Sequence, residues 1–291
     1  PLIYSTCCPG DRTAKGVFSL GKRILVAVVF IPVLIIFLFV LPDPAVPIMI
    51  SVLSMIAVHE VLWSTGFVKN TRLSAYSIIL AGVIPFWVFF QEGMLPALCG
   101  LLIYLTLVFA EAIASRFTVT LEKMGGCFFF ALLIPYFLSS FARLKEQPEV
   151  GVYLVAIPLV TAFTSDAFAL FAGMLFGRHK LAPALSPKKT VEGAVGGLVG
   201  AVVCTMLYGV LIHTAFGVQV NYLSLAVYGA VGSVFSQLGD LSFSYIKRQY
   251  QIKDFGNIFP GHGGVLDRFD SVIFCAPLIE VLCALLPAIK L

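Results

Sequence analysis

Charged side chains are scarce in this sequence. Asp, Glu, Lys and Arg make up 12% of its 291 residues, against roughly a quarter in ordinary soluble domains. Hydrophobic residues make up 59% of the chain, and its mean hydropathy is +1.00. A water-soluble fold could not bury that much apolar surface. The composition therefore excludes soluble enzyme folds and indicates an integral membrane protein.

Cysteine motifs are also lacking. The seven cysteines include no CxxC pair, and the five beyond residue 90 lie mostly in apolar runs. A cysteine in such a run usually acts as a small hydrophobe. The sequence therefore predicts neither a disulfide framework nor a zinc site. The net charge of +4 is small and its carriers are dispersed, so no nucleic-acid partner is expected.

Long apolar runs dominate what remains. A membrane-spanning helix needs about 20 largely apolar residues. Nine stretches qualify, at about 24–41, 45–63, 73–90, 94–114, 124–142, 151–176, 191–216, 222–246 and 270–289. The first is too long, and followed by too many others, to be a cleaved signal peptide. The sequence predicts an all-α bundle of about nine transmembrane helices.

The distribution of positive charge predicts how these helices are oriented. If the N-terminus is cytoplasmic, 16 of the 19 Lys and Arg residues fall on the inside, and only Arg143, Lys145 and Lys290 fall outside. The positive-inside rule then places the N-terminus in the cytoplasm and the C-terminus outside. Connecting segments are short and plain up to about residue 150. We therefore expect an extension over 1–19, structural, lipid-facing or dimerising helices over 20–150, and a catalytic half over 151–291.

A first polar cluster runs from residue 166 to residue 193. Asp166 lies inside an apolar stretch, where an ionisable group is costly unless it faces a polar cavity or a partner. Two hydroxyls and two ammonium groups over 186–190 precede a helix predicted to start near Val191, whose free amides favour anions. This arrangement suits a phosphate. In the alternative interpretation, Lys188 and Lys189 are only membrane-boundary anchors, and Glu192 only complements the helix dipole.

A second polar cluster covers residues 240–270. Asp240, Ser244 and Lys247 are spaced i, i+4, i+7 and would share one helix face. A polar loop then leads to three glycines around His262, which could form an amide nest for a phosphate. Carboxylates beside cations are what Mg²⁺-assisted nucleotide chemistry requires. In the alternative interpretations, Asp240 is a buried acid paired for structure, and His262 is a general acid or a surface turn residue.

Other ionisable residues in apolar stretches give weaker signals. His59 and Glu60 lie near the inner end of the second predicted helix, where the plainer interpretation is an interfacial polar pair facing the bundle. Glu111 and Glu280 also lie within or near predicted spans. No role is assigned to either.

The second cluster resembles, in order and spacing, the signature of the phosphatidate cytidylyltransferases, also called CDP-diacylglycerol synthases. The matching positions are Ser244, Lys247, Arg248, Lys253, Asp254, Gly256, Pro260, Gly261, His262, Gly263, Gly264, Asp267, Arg268 and Asp270. The first cluster resembles a second characteristic segment of that family, through Asp166, Gly177, Arg178, Ser186, Pro187, Lys188, Lys189, Thr190, Glu192 and Gly193. Lys22 and Arg23 lie where the family commonly begins. The resemblance covers roughly residues 20–290, most strongly from 160 onward.

This resemblance implies a Mg²⁺-dependent transfer of CMP from CTP to phosphatidic acid, giving CDP-diacylglycerol and pyrophosphate in phospholipid biosynthesis. It implies that Asp240 and Asp267 are metal ligands, and it leaves open a second, monovalent cation such as K⁺. The implied catalytic residues are Asp166, Lys247, Arg248, Lys253, Asp254, His262 and Asp270. The implied substrate-binding residues are Arg178, Ser186, Lys188, Lys189, Thr190, Glu192, Ser244, Gly261, Gly263, Gly264 and Arg268. The expected location is the inner membrane with the active site facing the cytoplasm, and a homodimer is left open.

The residues fit this reaction without a protein nucleophile. A lipid phosphate is already ionised at neutral pH, so the problem is to bring two polyanions together, which positioning and charge neutralisation achieve. A CTP-dependent lipid kinase, or a cytidylyltransferase for another lipid phosphate, would need a similar site. A transporter is a remote alternative, because it would require an internal repeat with broken helices and access from both sides.

Overall fold

The fold is mostly helical. The computed structural model describes residues 36–42, 44–68, 70–90, 93–116, 118–258 and 263–290. Most of the first predicted helix lies outside the described residues, and only a π-helical turn over Ile36–Val40 belongs to it. The predicted extension over 1–19, and Lys22, Arg23, Pro260, Gly261 and His262, also lie outside them.

Ten α-helices follow the π-helical turn in the described residues. In the first half they are α1 (Ala45–Ser64), α2 (Thr71–Phe90), α3 (Met94–Ala114), α4 (Leu121–Leu138), α5 (Ser140–Lys145) and α6 (Gly151–Leu154). In the second half they are α7 (Ile157–Phe176), α8 (Val191–Phe216), α9 (Tyr222–Gln249) and α10 (Leu266–Leu285). The predicted stretches from 45 onward all coincide with helices, and two of them are divided by short breaks, after Leu138 and after Leu154.

Six segments of the described chain are long and apolar enough to cross a membrane. They are Ala45–Ser64, Thr71–Phe90, Met94–Ala114, Leu121–Lys145, Gly151–Phe176 and Val191–Phe216. Helices α9 and α10 are as long, but they contain most of the ionisable residues of the second cluster and are not among the six. The predicted total of nine spans and the direction in which they cross remain predictions.

Two short antiparallel strand pairs interrupt the helical pattern. Strands β1 (Lys180–Ala182) and β2 (Ser186–Thr190) form a hairpin between α7 and α8, with Lys180 opposite Thr190. Strands β3 (Gln219–Val220) and β4 (Ile289–Lys290) join the start of α9 to the end of the chain. An all-α prediction does not include these pairs. Backbone N–H and C=O groups beyond the end of a helix have no partner within that helix, and near an apolar region they still need hydrogen bonds. Strand pairing supplies these bonds.

Close packing of α7 against α8 supports the site. A line of glycines on α8 faces α7, and a Cβ added at Gly197 would lie 2.7 Å from the Ser165 carbonyl oxygen. A Cβ at Gly196 would lie 2.2 Å from the Ala172 Cβ. Small residues allow two helix backbones in a membrane to approach closely. This contact fixes α7, which contains Asp166, beside the start of α8.

The last helix lies at the centre of the fold. Helix α10 packs against α1, α4, α5, α7 and α9. Its apolar face is fully buried, through Val272, Ile273, Cys275, Ala276 and Ile279. Removing apolar surface from water lowers the free energy by about 25 cal/mol per Å². This favours the packing of α10 wherever its surface would otherwise meet water. The polar start of α10 is therefore held firmly against the elements that surround the site.

Candidate active site

A cavity of about 740 Å³ lies where the two predicted clusters meet. It is bordered by α7, the β1–β2 hairpin, the start of α8, the second half of α9, the loop after α9 and the start of α10. Twelve of its polar lining residues are Asp166, Lys180, Lys188, Lys189, Thr190, Gln237, Asp240, Lys247, Asp254, Asp267, Arg268 and Asp270. Residues that are distant in sequence therefore surround one space.

An ion pair joins the two clusters across this cavity. Lys189 Nζ, on β2, lies 2.5 Å from Asp240 Oδ2, on α9. Each side chain is 27% exposed, so the pair is accessible from the cavity. Ser244, one turn along α9, donates a hydrogen bond of 3.3 Å from Oγ to Asp240 Oδ1. Both oxygens of Asp240 therefore have a polar contact, and Asp240 and Ser244 share the helix face that their spacing predicts.

Lys247 forms a second, more buried cluster of charge. Its Nζ lies 3.0 Å from Asp267 Oδ1 and 3.8 Å from Asp270 Oδ2. The side chain of Asp267 is only 3% exposed, and that of Lys247 is 11% exposed. Buried charges are stable only when they are paired and hydrogen-bonded. Lys247 therefore compensates two carboxylates at the start of α10.

Asp267 also organises the loop that precedes it. Its Oδ2 accepts the N–H of Phe255 at 2.8 Å and the N–H of Gly264 at 3.0 Å. Gly263 has a φ of 85°, and a Cβ there would lie 2.8 Å from Asp267 Oδ2. Only glycine adopts this backbone conformation readily. The Gly264 amide is thus used within the protein, and the phosphate contacts predicted for Gly261, Gly263 and Gly264 remain predictions.

Asp166 is one of five carboxylates that line the cavity, together with Asp240, Asp254, Asp267 and Asp270. Its Oδ2 accepts a hydrogen bond of 2.9 Å from Ser271 Oγ. The neighbouring Asp270 accepts the N–H of Ser271 at 2.9 Å. Ser271 therefore connects two acids on different helices. This contact satisfies the requirement that an acid in an apolar stretch must find a polar partner.

The donor set fits a magnesium ion bound together with substrate. No group of three or more His, Cys, Asp or Glu side chains in the described ranges is arranged as a metal site in its own right. Mg²⁺, however, is usually bound by one or two carboxylates plus substrate phosphates and water. Asp240 is the more accessible of the two predicted ligands, whereas Asp267 already accepts three contacts. A carboxylate has about four lone-pair sites, so both retain acceptor capacity.

Several predicted site residues do not line the cavity. These residues are Arg178, Ser186, Glu192, Ser244, Arg248, Lys253, Gly263 and Gly264. Glu192 Oε2 accepts the N–H of Arg178 at 3.0 Å and that of His179 at 3.2 Å. Arg248 Nε donates to the Leu185 carbonyl at 3.1 Å. Glu192 and Arg248 therefore hold the hairpin in place.

Thr190 has two structural roles besides lining the cavity. It is the N-cap of α8, because its Oγ1 accepts the N–H of Gly193 at 3.1 Å. An N-cap hydroxyl typically stabilises a helix by about 1 kcal/mol. It also ends β2 opposite Lys180. The predicted phosphate contact of Thr190 stays a prediction beside this observed role.

Some residues at the site were given no role, or only a weak one, by the sequence. Gln237 lines the cavity and donates from Nε2 to the Ala194 carbonyl at 3.1 Å. Lys180 also lines the cavity. Glu60 accepts the N–H groups of Val265 and Leu266. The available signal was the same for Gln237 and Glu60, namely a polar side chain within an apolar helix.

His59 and Glu60 do not form a common polar pair facing the bundle. Glu60 points inward and is 3% exposed. His59 is exposed and stacks on Trp63, with 5.8 Å between the ring centroids. Adjacent residues on a helix point about 100° apart, so only one of them can face a given neighbour. Glu60 contacts the second half of the chain, at Val265 and Leu266.

A model described as the cytidylyltransferase family matches residues 21–286, which include both polar clusters and the whole cavity lining. The chain belongs to the cytidylyltransferase family. The resemblance seen in the two motifs is thereby confirmed.

Individual members of the family are similar over nearly their full length. The phosphatidate cytidylyltransferase of Bacillus subtilis (strain 168) is 31% identical over 278 residues, which cover 92% of this chain and 98% of that protein. The phosphatidate cytidylyltransferase of Thermotoga maritima is 29% identical over 245 residues, covering 83% and 88%. That of Mycobacterium bovis is 29% identical over 297 residues, covering 96% and 93%.

Proposed function

We propose that this protein is a phosphatidate cytidylyltransferase, which transfers CMP from CTP to phosphatidic acid and yields CDP-diacylglycerol and pyrophosphate. The observation that supports this most is the single cavity that holds Asp166, Asp240, Asp267 and Asp270 beside several cations. Relatives that match nearly the whole chain are named for this activity. The apolar helices around the cavity would let the acyl chains of the lipid remain in the bilayer.

The reaction needs no nucleophile from the protein. An oxygen of the lipid phosphate attacks the α-phosphorus of CTP, and the bond from that phosphorus to the bridging oxygen breaks. Its electron pair leaves with pyrophosphate. Catalysis of such a step rests on positioning and on stabilisation of negative charge. Lys188, Lys189 and Arg268 line the cavity and can supply the positive charge that stabilises the phosphates.

The two ion pairs give the cations a defined place before substrate binds. Lys189 rests on Asp240 and Lys247 rests on Asp267. When phosphates enter, the ammonium groups can turn to phosphate oxygens, and the carboxylates then become available to a cation. Asp240 and Asp267 would hold Mg²⁺, which when bound neutralises phosphate charge. Asp166 and Glu192 would orient the lysines or hold a second, monovalent cation such as K⁺.

The orientation and surroundings of the site belong to the same proposal. The N-terminus would lie in the cytoplasm, about nine helices would cross the inner membrane, and the cavity would open toward the cytoplasm. The excess of Lys and Arg in alternate connecting segments supports this orientation. CTP is a cytoplasmic polyanion that cannot cross the bilayer, so its site must face the compartment that supplies it. A homodimer is compatible with this arrangement.

Pyrophosphate release from the purified protein in detergent tests the function. The reaction contains phosphatidic acid, CTP and Mg²⁺, and parallel reactions omit each component, add EDTA or use the Asp267→Asn variant. We expect pyrophosphate only when all three components are present, with a loss in EDTA and in the variant.

Two results would contradict the proposal. Release of CDP without pyrophosphate would identify a CTP-dependent lipid kinase. No reaction with phosphatidic acid, but pyrophosphate release with another lipid phosphate, would assign a different acceptor to the same chemistry.

A further inference from the structure

The carboxylate of Glu60 holds the start of α10. Its Oε1 accepts the N–H of Val265 at 3.0 Å, and its Oε2 accepts the N–H of Leu266 at 2.8 Å. Glu60 lies on α1 and is 3% exposed. The first amides of a helix have no partner within the helix and attract negative charge. Glu60 supplies that charge from a position 205 residues away.

Two glycines of the loop between α9 and α10, one on each side of residues 259–262, lie against this carboxylate. A Cβ added at Gly256 or at Gly264 would lie 2.3 Å from Glu60 Oε1. Both positions therefore need glycine because Glu60 occupies the space that a side chain would require. Ser64, one turn after Glu60 on α1, donates from Oγ to the carbonyl of Phe255 in the same loop. Two side chains of α1 thus bind the loop from one side.

Asp267 binds the same loop from the other side. Glu60 and Asp267 between them accept the consecutive amides of Gly264, Val265 and Leu266. Asp267 in turn contacts Lys247, which also lies near Asp270. The position of the last helix therefore sets the geometry of the charged groups in the cavity. Glu60 does not line that cavity, so any effect on catalysis must pass through the helix start.

The chemistry of these contacts requires a carboxylate. Each oxygen of Glu60 accepts from one backbone donor, and a glutamine would present its NH₂ group to one of the two N–H donors. One buried amide would then have no acceptor. A buried donor without an acceptor is strongly unfavourable, and this favours a shift of the helix start. Glutamine still fits the available volume, so the substitution tests the hydrogen bonds rather than the packing.

We propose that Glu60 is a positioning residue for cytidylyl transfer, which fixes the start of α10 and through it the placement of Asp267 and Lys247. The inference rests on the proposed function. It assigns control of the site's geometry to a residue of α1, which lies outside the predicted catalytic half over 151–291. Displacement of Asp267 would alter how the site binds CTP and Mg²⁺. It would do so even where the protein remains folded.

Three variants test this inference. Glu60→Gln removes one acceptor, Ser64→Ala removes the bond to the loop carbonyl, and Glu111→Gln is the matched control. Glu111 is also a glutamate of the first half, but it binds Asn70 and Arg72 away from the cavity. The measurements are kcat and the KM for CTP, the Mg²⁺ concentration at half-maximal rate, and the thermal midpoint in detergent. Hydrogen–deuterium exchange over 263–266 reports on the helix start directly.

We expect Glu60→Gln to lower kcat/KM for CTP by about 10–100-fold, as loss of an outer-shell partner of a metal site does. The half-saturating Mg²⁺ concentration should rise, and exchange over 263–266 should become faster, at temperatures where the variant is folded. Ser64→Ala should cause a smaller loss of about two- to tenfold, the equivalent of one neutral hydrogen bond. Glu111→Gln should match the unmodified protein in all of these measurements.

Unchanged kinetics and unchanged Mg²⁺ dependence of folded Glu60→Gln would overturn the inference. A loss only in the thermal midpoint, with normal kinetics per folded molecule, would also overturn it. If Glu60→Gln does not fold, Ser64→Ala decides by the same kinetic criteria. If the unmodified protein releases no pyrophosphate with any lipid, the proposed function fails, and the exchange measurement still decides whether Glu60 holds the start of α10.

Discussion

Lys189 and Asp240 meet across the cavity at 2.5 Å, and their contact joins the hairpin before α8 to the second half of α9. Neither side chain is deeply buried, since each is 27% exposed. A pair of this kind gains little net stability from its charge attraction. Its importance lies in placement, because it puts a cation and a carboxylate at the position where the proposed reaction needs both.

Asp240→Asn should abolish turnover and leave the fold intact. The substitution preserves size and one acceptor but removes the charge that a metal ligand requires. We expect pyrophosphate release to fall by more than the ~10–100-fold typical of outer-shell partners, with an unchanged thermal midpoint. Ser242→Ala is the control on the same helix, because Ser242 Oγ bonds its own helix, at Leu238 O, and Ser242 is not among the described residues that line the cavity. Activity retained in Asp240→Asn would refute the metal assignment.

Lys247→Met should destabilise the protein. It leaves Asp267 and Asp270 buried without the cation that contacts both. Breaking a buried pair by removing one partner costs about 3–5 kcal/mol. Thermal unfolding in detergent should therefore begin at a clearly lower temperature. Adding Asp270→Asn should restore part of that loss without restoring activity, and an unchanged midpoint in the single variant would contradict the pairing.

Gly197→Ala should separate α7 from α8. The new Cβ would lie 2.7 Å from the Ser165 carbonyl oxygen, which cannot move independently of its helix. Overpacking of this kind costs about 1–3 kcal/mol, and Asp166, the next residue on α7, should be displaced with loss of activity. The control is Gly100→Ala on α3, where no described atom outside the adjacent backbone of its own helix lies within 4 Å of the added Cβ. Equal thermal midpoints for the two variants would argue against close packing here.

Glu280→Gln should lower stability without affecting catalysis. Glu280 binds Arg143 through two contacts, Nε to Oε1 at 2.6 Å and Nη2 to Oε2 at 2.9 Å. Hydrogen bonds to charged groups contribute about 1.5–3 kcal/mol, so the thermal midpoint in detergent should fall. Glu280 does not line the cavity. The KM, and the kcat calculated from the concentration of folded protein, should therefore stay the same. A specific loss of kcat would show that this pair influences the site.

The helices could be predicted because apolar runs of membrane length have few alternative structures. Helix α1 was predicted over 45–63 and spans Ala45–Ser64, and α8 was predicted over 191–216 and spans Val191–Phe216. The meeting of the two polar clusters could also be predicted, since ionisable groups in an apolar chain need a common polar space. Asp166 and Asp240 line such a space.

The pairings inside the cavity could not be predicted from the sequence. Which ammonium group contacts which carboxylate depends on how the helices pack, and hydropathy does not encode helix neighbours. The sequence does not predict the β1–β2 hairpin for a related reason. The five residues of β2 are polar and lack the alternation of apolar and polar side chains that indicates a strand. The sequence marks Glu60 only as one of two polar residues near the inner end of an apolar helix. Its partners lie 205 and 206 positions later in the chain.

That separation has a consequence for biosynthesis. At ~5–20 residues per second, a ribosome needs roughly 10–40 s to extend the chain from Glu60 to Val265. During that interval α1 is already made, but its carboxylate has not yet met the amides that it binds in the finished protein. Helix α10 must therefore pack against a helix that was synthesised early in translation. A fragment of residues 151–291 would contain every described residue that lines the cavity and still lack the carboxylate that holds the start of α10 in position.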